Sequence, residues 1–442
     1  MTNWSAPSLI IAAPASGSGK TTVTLALLRA LSNEGMNVSS FKVGPDYIDP
    51  AFHHLASRHP CLNLDPWAMS PETLNRSFRM SAADSDLVIG EGVMGLFDGA
   101  QDGRGSTADL ASTFDIPVIL VVDAKGQAAS VGAVLHGFNS FRDDIRLAGV
   151  IFNSVGSANH KAFLETAAEK VGIPVLGAIP KSASLQLPRR HLGLIQAQEN
   201  PEIEIFLNNA ANIIKENVDL EKLKSLATPI YTHSDKTPLR TPPGQNISIA
   251  RDEAFAFSYP HLIADWQTVG AKITFFSPLN DEGPTENADF IYLPGGYPEL
   301  HAPKLSNAQK FKTSLAKAAQ NGKSIFGECG GYMVLGETLT DRDGCVHPML
   351  GLLPTATSFA EPKLHLGYRY ATLTSDHHLG PKGLKITAHE FHYASEIQNS
   401  SATPLFELSN AKGDDLGSAG AVVGAVSGSF IHLIDPVARH AK

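Results

Sequence analysis

Cys329 lies in KSIFGECGGYMVLGE, Lys323–Glu337, behind an apolar run and just before the paired glycines Gly330 and Gly331. A strand that enters such a turn and leaves as a helix holds its middle residue out for attack, the nucleophile-elbow pattern, here with sulfur in place of a hydroxyl. Small neighbours let the strained backbone pass close to other chain, and the N-terminus of the following helix is expected to lower the thiol pKa. The pattern points to covalent catalysis, which also needs a base. His432, in SGSFIHL, closes the last expected strand and is the candidate. Among seventeen histidines its main competitors are His389 and His392 of HEFHY. His-Glu-Phe-His lacks the His-Glu-x-x-His spacing that sets two zinc ligands one helical turn apart, and ITAHEFHYA alternates like a strand. These two read as structural or substrate-contacting. In LPGGYPE, Gly295 and Gly296 can turn backbone N–H groups toward a developing oxyanion, with the N–H of Gly330 as a second donor.

A second chemistry is written near the start of the chain, in LIIAAPASGSGKTTVTLALLRAL, Leu9–Leu31. An apolar strand, a loop holding Ser16, Gly17, Ser18 and Gly19, and a helix opening on Lys20, Thr21 and Thr22 form a P-loop. There the loop N–H groups wrap phosphates, the lysine reaches the terminal phosphates, and the first hydroxyl serves Mg2+. Pro14 stands where the motif usually begins with glycine. Later strands should end at the same crevice. One is followed by FKVGPDYIDP, with Lys42, Asp46, Tyr47 and Asp49, and another by VIGEGVMGLFDG, with Glu91 and Asp98. Mg2+ takes hard oxygen ligands, so Thr21, Asp46 and Glu91 make a candidate set, and Lys42 could neutralise charge on a transferring phosphoryl group. Acidic residues in such loops also cap helices and turns.

Two chemistries need two scaffolds, and 442 residues accommodate two domains of about 200 residues each. From Leu9 to about Pro180, short apolar strands alternate with helix-length segments: LIIAAP, VSSFKVG, DLVIGEG, PVILVVD, LAGVIFN and VLGAIP. Fully apolar strands of this kind argue for a parallel sheet covered on both faces. A helical stretch over 199–226 follows, then the proline-rich TPIYTHSDKTPLRTPPGQ, Thr228–Gln245, which reads as a linker. The expected division is an α/β domain over 1–235, a linker over 236–245 and a second α/β domain over 246–442. The second ends in more β-rich segments: YRYATL, LKITAHEFHY and AVVGAVSGSFIHL.

With 43% hydrophobic residues, 18% charged residues and a net charge of -9, the chain is globular and lacks a basic nucleic-acid footprint. Cys61, Cys329 and Cys345 are too few and scattered for a disulfide framework, which fits a reducing compartment. The N-terminus reads as a buried strand rather than a signal peptide, and no run reaches the ~18 apolar residues of a membrane span. A soluble cytoplasmic protein is expected.

Taken together, APASGSGKTT, FKVGPDYIDPAFH, GEGVMGLFDG, RRHLGLI, LPGGYPEL, GECGGYMVL and HEFHYA resemble the cobyrinic acid and hydrogenobyrinic acid a,c-diamide synthases over nearly the whole chain. The N-terminal half is similar to dethiobiotin synthetase and related P-loop ATPases. The C-terminal half is similar to class I glutamine amidotransferases of the cobyric acid synthase type. The resemblance implies ATP-dependent amidation of two carboxylates of a corrinoid of cobalamin biosynthesis, cobyrinic or hydrogenobyrinic acid, through acyl phosphates, with glutamine or ammonia as nitrogen donor. It makes Cys329 the nucleophile and His432 its base, and places Tyr47, Asp49 and His191 toward the corrinoid. Ammonia must reach the acyl phosphate unprotonated, which calls for an enclosed path between domains. Relatives in the wider class carry a glutamate two positions after the histidine, whereas Leu433-Ile434-Asp435 follows here, so a Cys–His dyad is expected, with room for another orienting group. Cobyric acid synthase and nickel-sirohydrochlorin diamide synthase share this architecture and remain alternatives. A partitioning-type P-loop switch would leave Cys329 without a role. ATP and Mg2+ are the implied co-substrate and cofactor, and a homodimer is a candidate assembly.

Overall fold

A computed structural model describes residues 4–186, 189–190, 193–194, 201–232, 239–398 and 402–437. His191 lies outside them. The chain divides into two compact units, Met1–Lys236 and Thr237–Lys442, both α/β.

The first unit is built on β1 (Trp4–Ala12), β2 (Val38–Val43), β3 (Cys61–Leu64), β4 (Leu87–Glu91), β5 (Val118–Asp123), β6 (Leu147–Val155) and β7 (Val175–Pro180). All pair in parallel, in the order β3-β2-β4-β1-β5-β6-β7. Leu9, Ile10, Ile11 and Ala12 of β1 are fully buried, as a central strand covered on both faces requires. Helix α1 (Lys20–Asn33) buries Val23, Leu25, Ala26, Leu27, Leu28, Ala30 and Leu31 in the core on one side of the sheet. Helix α2 (Asp49–Ser57) packs beside it, with Asp46 Oδ1 accepting from the backbone N–H groups of Ile48 and Asp49 at its start.

Thr228–Thr232, expected to open the linker stretch, is instead a strand running antiparallel to the first half of β1, from Trp4 opposite Thr232 to Ser8 opposite Thr228. Its threonines, isoleucine and tyrosine suit a pleated surface, and this edge position tolerates Pro229.

In the second unit, the strands Lys272–Phe276, Asn246–Ala250, Phe290–Leu293, Ser324–Glu328 and Val426–Ser429 form a parallel sheet in that order, closed by Ala421–Val423 running antiparallel. A five-stranded antiparallel sheet runs Asp415–Ala419, Phe406–Asn410, His365–Leu373, Lys385–His392, Ile431–Pro436. The C-terminal segment AVVGAVSGSFIHL thus divides between two sheets at Phe430. Val426–Ser429 lies beside the strand that carries Glu328, and Ile431–Pro436 beside the strand that carries His389. That switch brings His432 toward the turn at Cys329.

Candidate functional site

The strand order sets the loops after β1, β4 and β2 side by side. Lys42 and Glu91 are register partners across β2 and β4, and Ile11 pairs with Glu91 across β1 and β4. Side chains at paired positions share a face of the sheet, so Lys42 Nζ donates to Glu91 Oε1 at 2.8 Å. The hydroxyl of Thr21, at the start of α1, donates to the same oxygen at 2.6 Å, and Lys20 Nζ stands 3.8 Å from it. Lys42 also donates to Asp49 Oδ2 at 2.5 Å. Asp49 and His53 lie four residues apart on α2, hence on one face. His53 Nε2 meets the other oxygen of Glu91 at 2.7 Å. Gly19 has φ +89°, a conformation costly for other residues, and the side-chain amide of Asn153 fills the space where its Cβ would sit while donating to Ser18 O at 3.0 Å.

Burial and the charge of Asp46 raise Asp49 to about 6, against the pull of Lys42. Burial opposes the charge of Glu91, but Lys42, His53 and Lys20 outweigh it and hold the carboxyl well below its usual range. Burial likewise opposes the charge on Lys42, and the carboxylates of Asp49, Glu91 and Asp46 overcome it to raise its pKa. His53 is pushed up to about 10, Cys61 and Glu91 prevailing over burial. Lys20 is lowered, by burial and by the charge of Lys42. Lys42 is shared between Asp49 and Glu91, whereas Lys20, at 3.8 Å from Glu91, is the more loosely held cation and the one placed to turn to phosphates.

The second site is the turn after Ser324–Glu328. Cys329 has φ +47° and ψ −106°, a strained conformation for a residue with a side chain, and it caps the buried helix Gly330–Leu335. Backbone bonds hold it there: Cys329 N–H to Ser429 O at 2.9 Å and Gly331 N–H to Pro294 O at 3.0 Å. Gly295 packs against both Cys329 and His432. A Cβ on it would stand 3.3 Å from Cys329 Cβ and 3.2 Å from His432 Nε2. The N–H groups of Gly330 and Gly296 reach the sulfur.

The expected lowering of the thiol pKa by the following helix is not what the structure gives. Burial, joined by the charge of Glu299, lifts Cys329 to about 12, and the N–H groups of Gly330 and Gly296 offset only part of this. Cys329 is 3% exposed, and a helix of six residues supplies too little field to compensate. His432 is lowered to about 3 by burial and by His389 and His392. The resting pair is therefore neutral thiol and neutral imidazole, in which the imidazole is free of a proton and able to accept one.

Asp435, the acidic residue nearest after His432, points elsewhere and pairs with Arg240. Glu328 instead faces the imidazole, with Oε2 3.8 Å from His432 Nδ1. His389 sits directly opposite His432 in the antiparallel pairing. His365, Glu390 and His392 bring ligand atoms within 4.8 Å of one another. Yet the two imidazoles are stacked with planes 2° apart, so their in-plane lone pairs run side by side instead of converging on one ion. Glu390 is already held by Arg369 at 2.7 Å and by His392 at 3.0 Å, so both of its oxygens are engaged.

Of the residues singled out from sequence, Lys20, Thr21, Lys42, Asp49 and Glu91 come together in one cluster, and Cys329, His432, Gly295, Gly296 and Gly330 in the other. Asp46 spends one carboxylate oxygen on the start of α2, and Tyr47 is half-buried on the same loop. Thr22 turns away from the cluster to Leu185 O at 3.3 Å. His53 was missed, although Asp49-x-x-x-His53 already had the one-face spacing of a helix. Glu328 was missed because a side chain next to a nucleophile normally points to the opposite side of its strand, and only the kink at Cys329 brings the two to one site.

Two family models match: the CobQ/CobB/MinD/ParA nucleotide binding domain over residues 9–195 and the CobB/CobQ-like glutamine amidotransferase domain over residues 246–436. The chain is 52% identical over 429 residues to the hydrogenobyrinate a,c-diamide synthase of Brucella anthropi, covering 96% of this chain and 98% of that protein. It is 52% identical over 428 residues to the protein of that name in Rhizobium meliloti, covering 97% and 99%. With that of Agrobacterium fabrum it shares 47% over 433 residues, again 97% and 99%. Among the described residues no helix is long and apolar enough to cross a membrane.

Proposed function

This chain belongs to the hydrogenobyrinate a,c-diamide synthase family, and we propose on that premise that it amidates the a and c side-chain carboxylates of hydrogenobyrinic acid, using ATP and glutamine, in the cytoplasm. The observation that carries the reading is the strained Cys329, with Gly295 packed against both it and the imidazole of His432, in the same chain as a P-loop lysine.

A carboxylate is a poor acyl electrophile and ammonium is no nucleophile, so both partners must be activated. In the first unit a substrate carboxylate oxygen attacks the γ-phosphorus of ATP, the bond to the bridging oxygen breaks, and ADP leaves behind an acyl phosphate. Lys20 and Lys42, which rest on Glu91 in the structure, neutralise charge on the transferred group. The contact between Thr21 and Glu91 is a hard-oxygen pair that fits Mg2+, with Asp46 the third candidate ligand. The ion would supply further neutralisation of the phosphates. Tyr47, Asp49 and His191 remain the candidates for corrinoid contact.

In the second unit Cys329 passes its proton to His432 as sulfur adds to the amide carbon of glutamine. The N–H groups of the Gly295-Gly296 segment and of Gly330 receive the oxyanion. His432 returns the proton to the departing nitrogen, the C–N bond breaks, and ammonia leaves a thioester. Water then gives a proton to His432 and cleaves the thioester to glutamate, and the sulfur recovers the proton. Ammonia displaces phosphate from the acyl phosphate and the amide is formed.

The test is to incubate the protein with ATP, Mg2+ and glutamine and either hydrogenobyrinic or cobyrinic acid, and to count amides gained by mass. Two amides on hydrogenobyrinic acid are expected. Cys329→Ser should abolish glutamine use and keep amidation from added ammonia, whereas Lys20→Ala should stop amidation from either donor. Amides at other side chains, or turnover only of another tetrapyrrole, would favour the cobyric acid synthase or sirohydrochlorin alternatives.

A further inference from the structure

The glutaminase pair lacks the acidic residue after its histidine, and Asp435, the nearest candidate in sequence, is taken by Arg240. We propose that Glu328, the residue immediately before the nucleophile, is the positioning residue of this site: its carboxylate aims the imidazole of His432 and stabilises the imidazolium formed when that ring takes the thiol proton. The inference rests on the reading of Cys329 and His432 as nucleophile and base.

Glu328 is 2% exposed and tied at both oxygens. Oε1 accepts the backbone N–H of Leu433, the residue after His432, at 3.2 Å. Oε2 accepts the hydroxyl of Tyr292 at 2.6 Å and stands 3.8 Å from His432 Nδ1. Tyr292 is fixed in turn, stacked on Phe326 with rings 11° from parallel and packed edge-on against Trp266. One carboxylate thus connects the strand that presents the sulfur, the strand that presents the base and the strand Phe290–Leu293 that leads into the Gly295-Gly296 loop. A buried acid held, among the described residues, by two neutral donors and no fixed cation is an expensive arrangement for stability alone, because its desolvation is not repaid. It is well suited to a site where a cation appears transiently, since the charge on His432 then gains its partner with no reorganisation. A gap of 3.8 Å in the resting state is the sort that shortens when the ring becomes charged. Glu390 also acts on the imidazole through its charge, but it stands opposite Ile431 in the sheet and is held by Arg369 at 2.7 Å.

Glu328→Gln keeps the shape and the bond from Leu433 N–H, turns the Tyr292 hydroxyl from donor to acceptor, and removes the charge. Glutamine hydrolysis is measured alongside ammonia-supported amidation, which reports that the variant has folded. The expected result is a fall in kcat for glutamine of ~10²-fold or more, with KM within about threefold, since the group acts on the proton transfer and not on substrate binding. Glu390→Gln, which leaves Glu328 in place, should retain kcat within about threefold. Normal kcat in Glu328→Gln, or a loss confined to KM, overturns the inference, as does a larger loss in Glu390→Gln. Glutamine hydrolysis that survives Cys329→Ser would overturn the underlying pair instead.

Should Glu328→Gln not fold, the unaltered enzyme decides. Burial lifts Glu328 to about 7, with the Tyr292 hydroxyl and Leu433 N–H pulling the other way. The other titratable groups around the pair are Cys329, Glu299, His389, His392 and Glu390. The carboxylate is charged above its pKa and neutral below, so kcat for glutamine must fall as the pH drops through about 7. A profile level from pH 8 to about 5 would overturn the inference.

Discussion

Gly295 lies against His432 so closely that a Cβ on it would overlap the Cε1 edge of the imidazole. Its carbonyl accepts the N–H of Phe257 at 2.8 Å, which fixes the loop, and His432 is fully enclosed, so neither side can yield cheaply. Gly295→Ala should therefore displace the ring from the sulfur. Glutamine-supported amidation should drop by ~10²-fold, the usual effect of a misplacement of about 1 Å, while ammonia-supported amidation persists. Equal loss from both donors would show that the glycine serves the fold and not the base.

Lys42 is the pivot of the first cluster, and its removal separates two consequences. Lys42→Met would leave Asp49 and Glu91 buried without their shared cation, a change that typically costs about 3–5 kcal/mol. Asp49→Asn leaves Lys42 with Glu91 and should cost clearly less. Chemical denaturation of both variants, followed by far-ultraviolet circular dichroism, should show this order. The reverse order would mean that the lysine carries no structural charge balance.

Most of the framework was legible in the chain. Six strands of the first sheet announced themselves as short, largely apolar runs because both faces are covered, and the P-loop and elbow followed from glycines at turns. Cys61–Leu64 escaped notice because CLNL is short and holds a buried asparagine, whose amide donates to Gly44 O and Asp46 O and so supports the Lys42 loop. The residues of AVVGAVSGSFIHL were readable as strand, but not their division between two sheets, which depends on pairing with distant segments. Charge states were the least legible. The sign of the Cys329 shift is set by burial and by Glu299, a residue thirty positions away in sequence, and no local pattern contains that information.

Glu390 gives an acid-stability prediction. Burial opposes its ionisation, but His392 and Arg369 prevail and bring it from an ordinary 4.5 to about 2. A carboxylate depressed on folding contributes stability that is full above about pH 4.5 and lost as the pH falls toward 2. Thermal unfolding of the second unit should therefore weaken steeply on acidification across that range. Glu390→Gln should lose ~2 kcal/mol at pH 7 and show a flatter acid limb. An acid limb unchanged by the substitution would show that the ion pair with Arg369 adds nothing.

The resting state of Cys329 can be read directly by alkylation. If the pair were thiolate and imidazolium, as in cysteine enzymes with a depressed thiol pKa, inactivation by iodoacetamide would be fast and level above pH ~5. Here burial lifts the sulfur to about 12 and holds His432 near 3, so the thiolate fraction without substrate is small and grows with pH. Loss of glutaminase activity should accelerate about tenfold per unit between pH 7 and 10, without a plateau near the ordinary thiol value. Cys345 is exposed and will react first, so the readout is activity, or mass on the peptide containing Cys329. A plateau below pH 8 would mean that the helix N-terminus and the glycine N–H groups outweigh burial, and that proton transfer to His432 precedes glutamine binding.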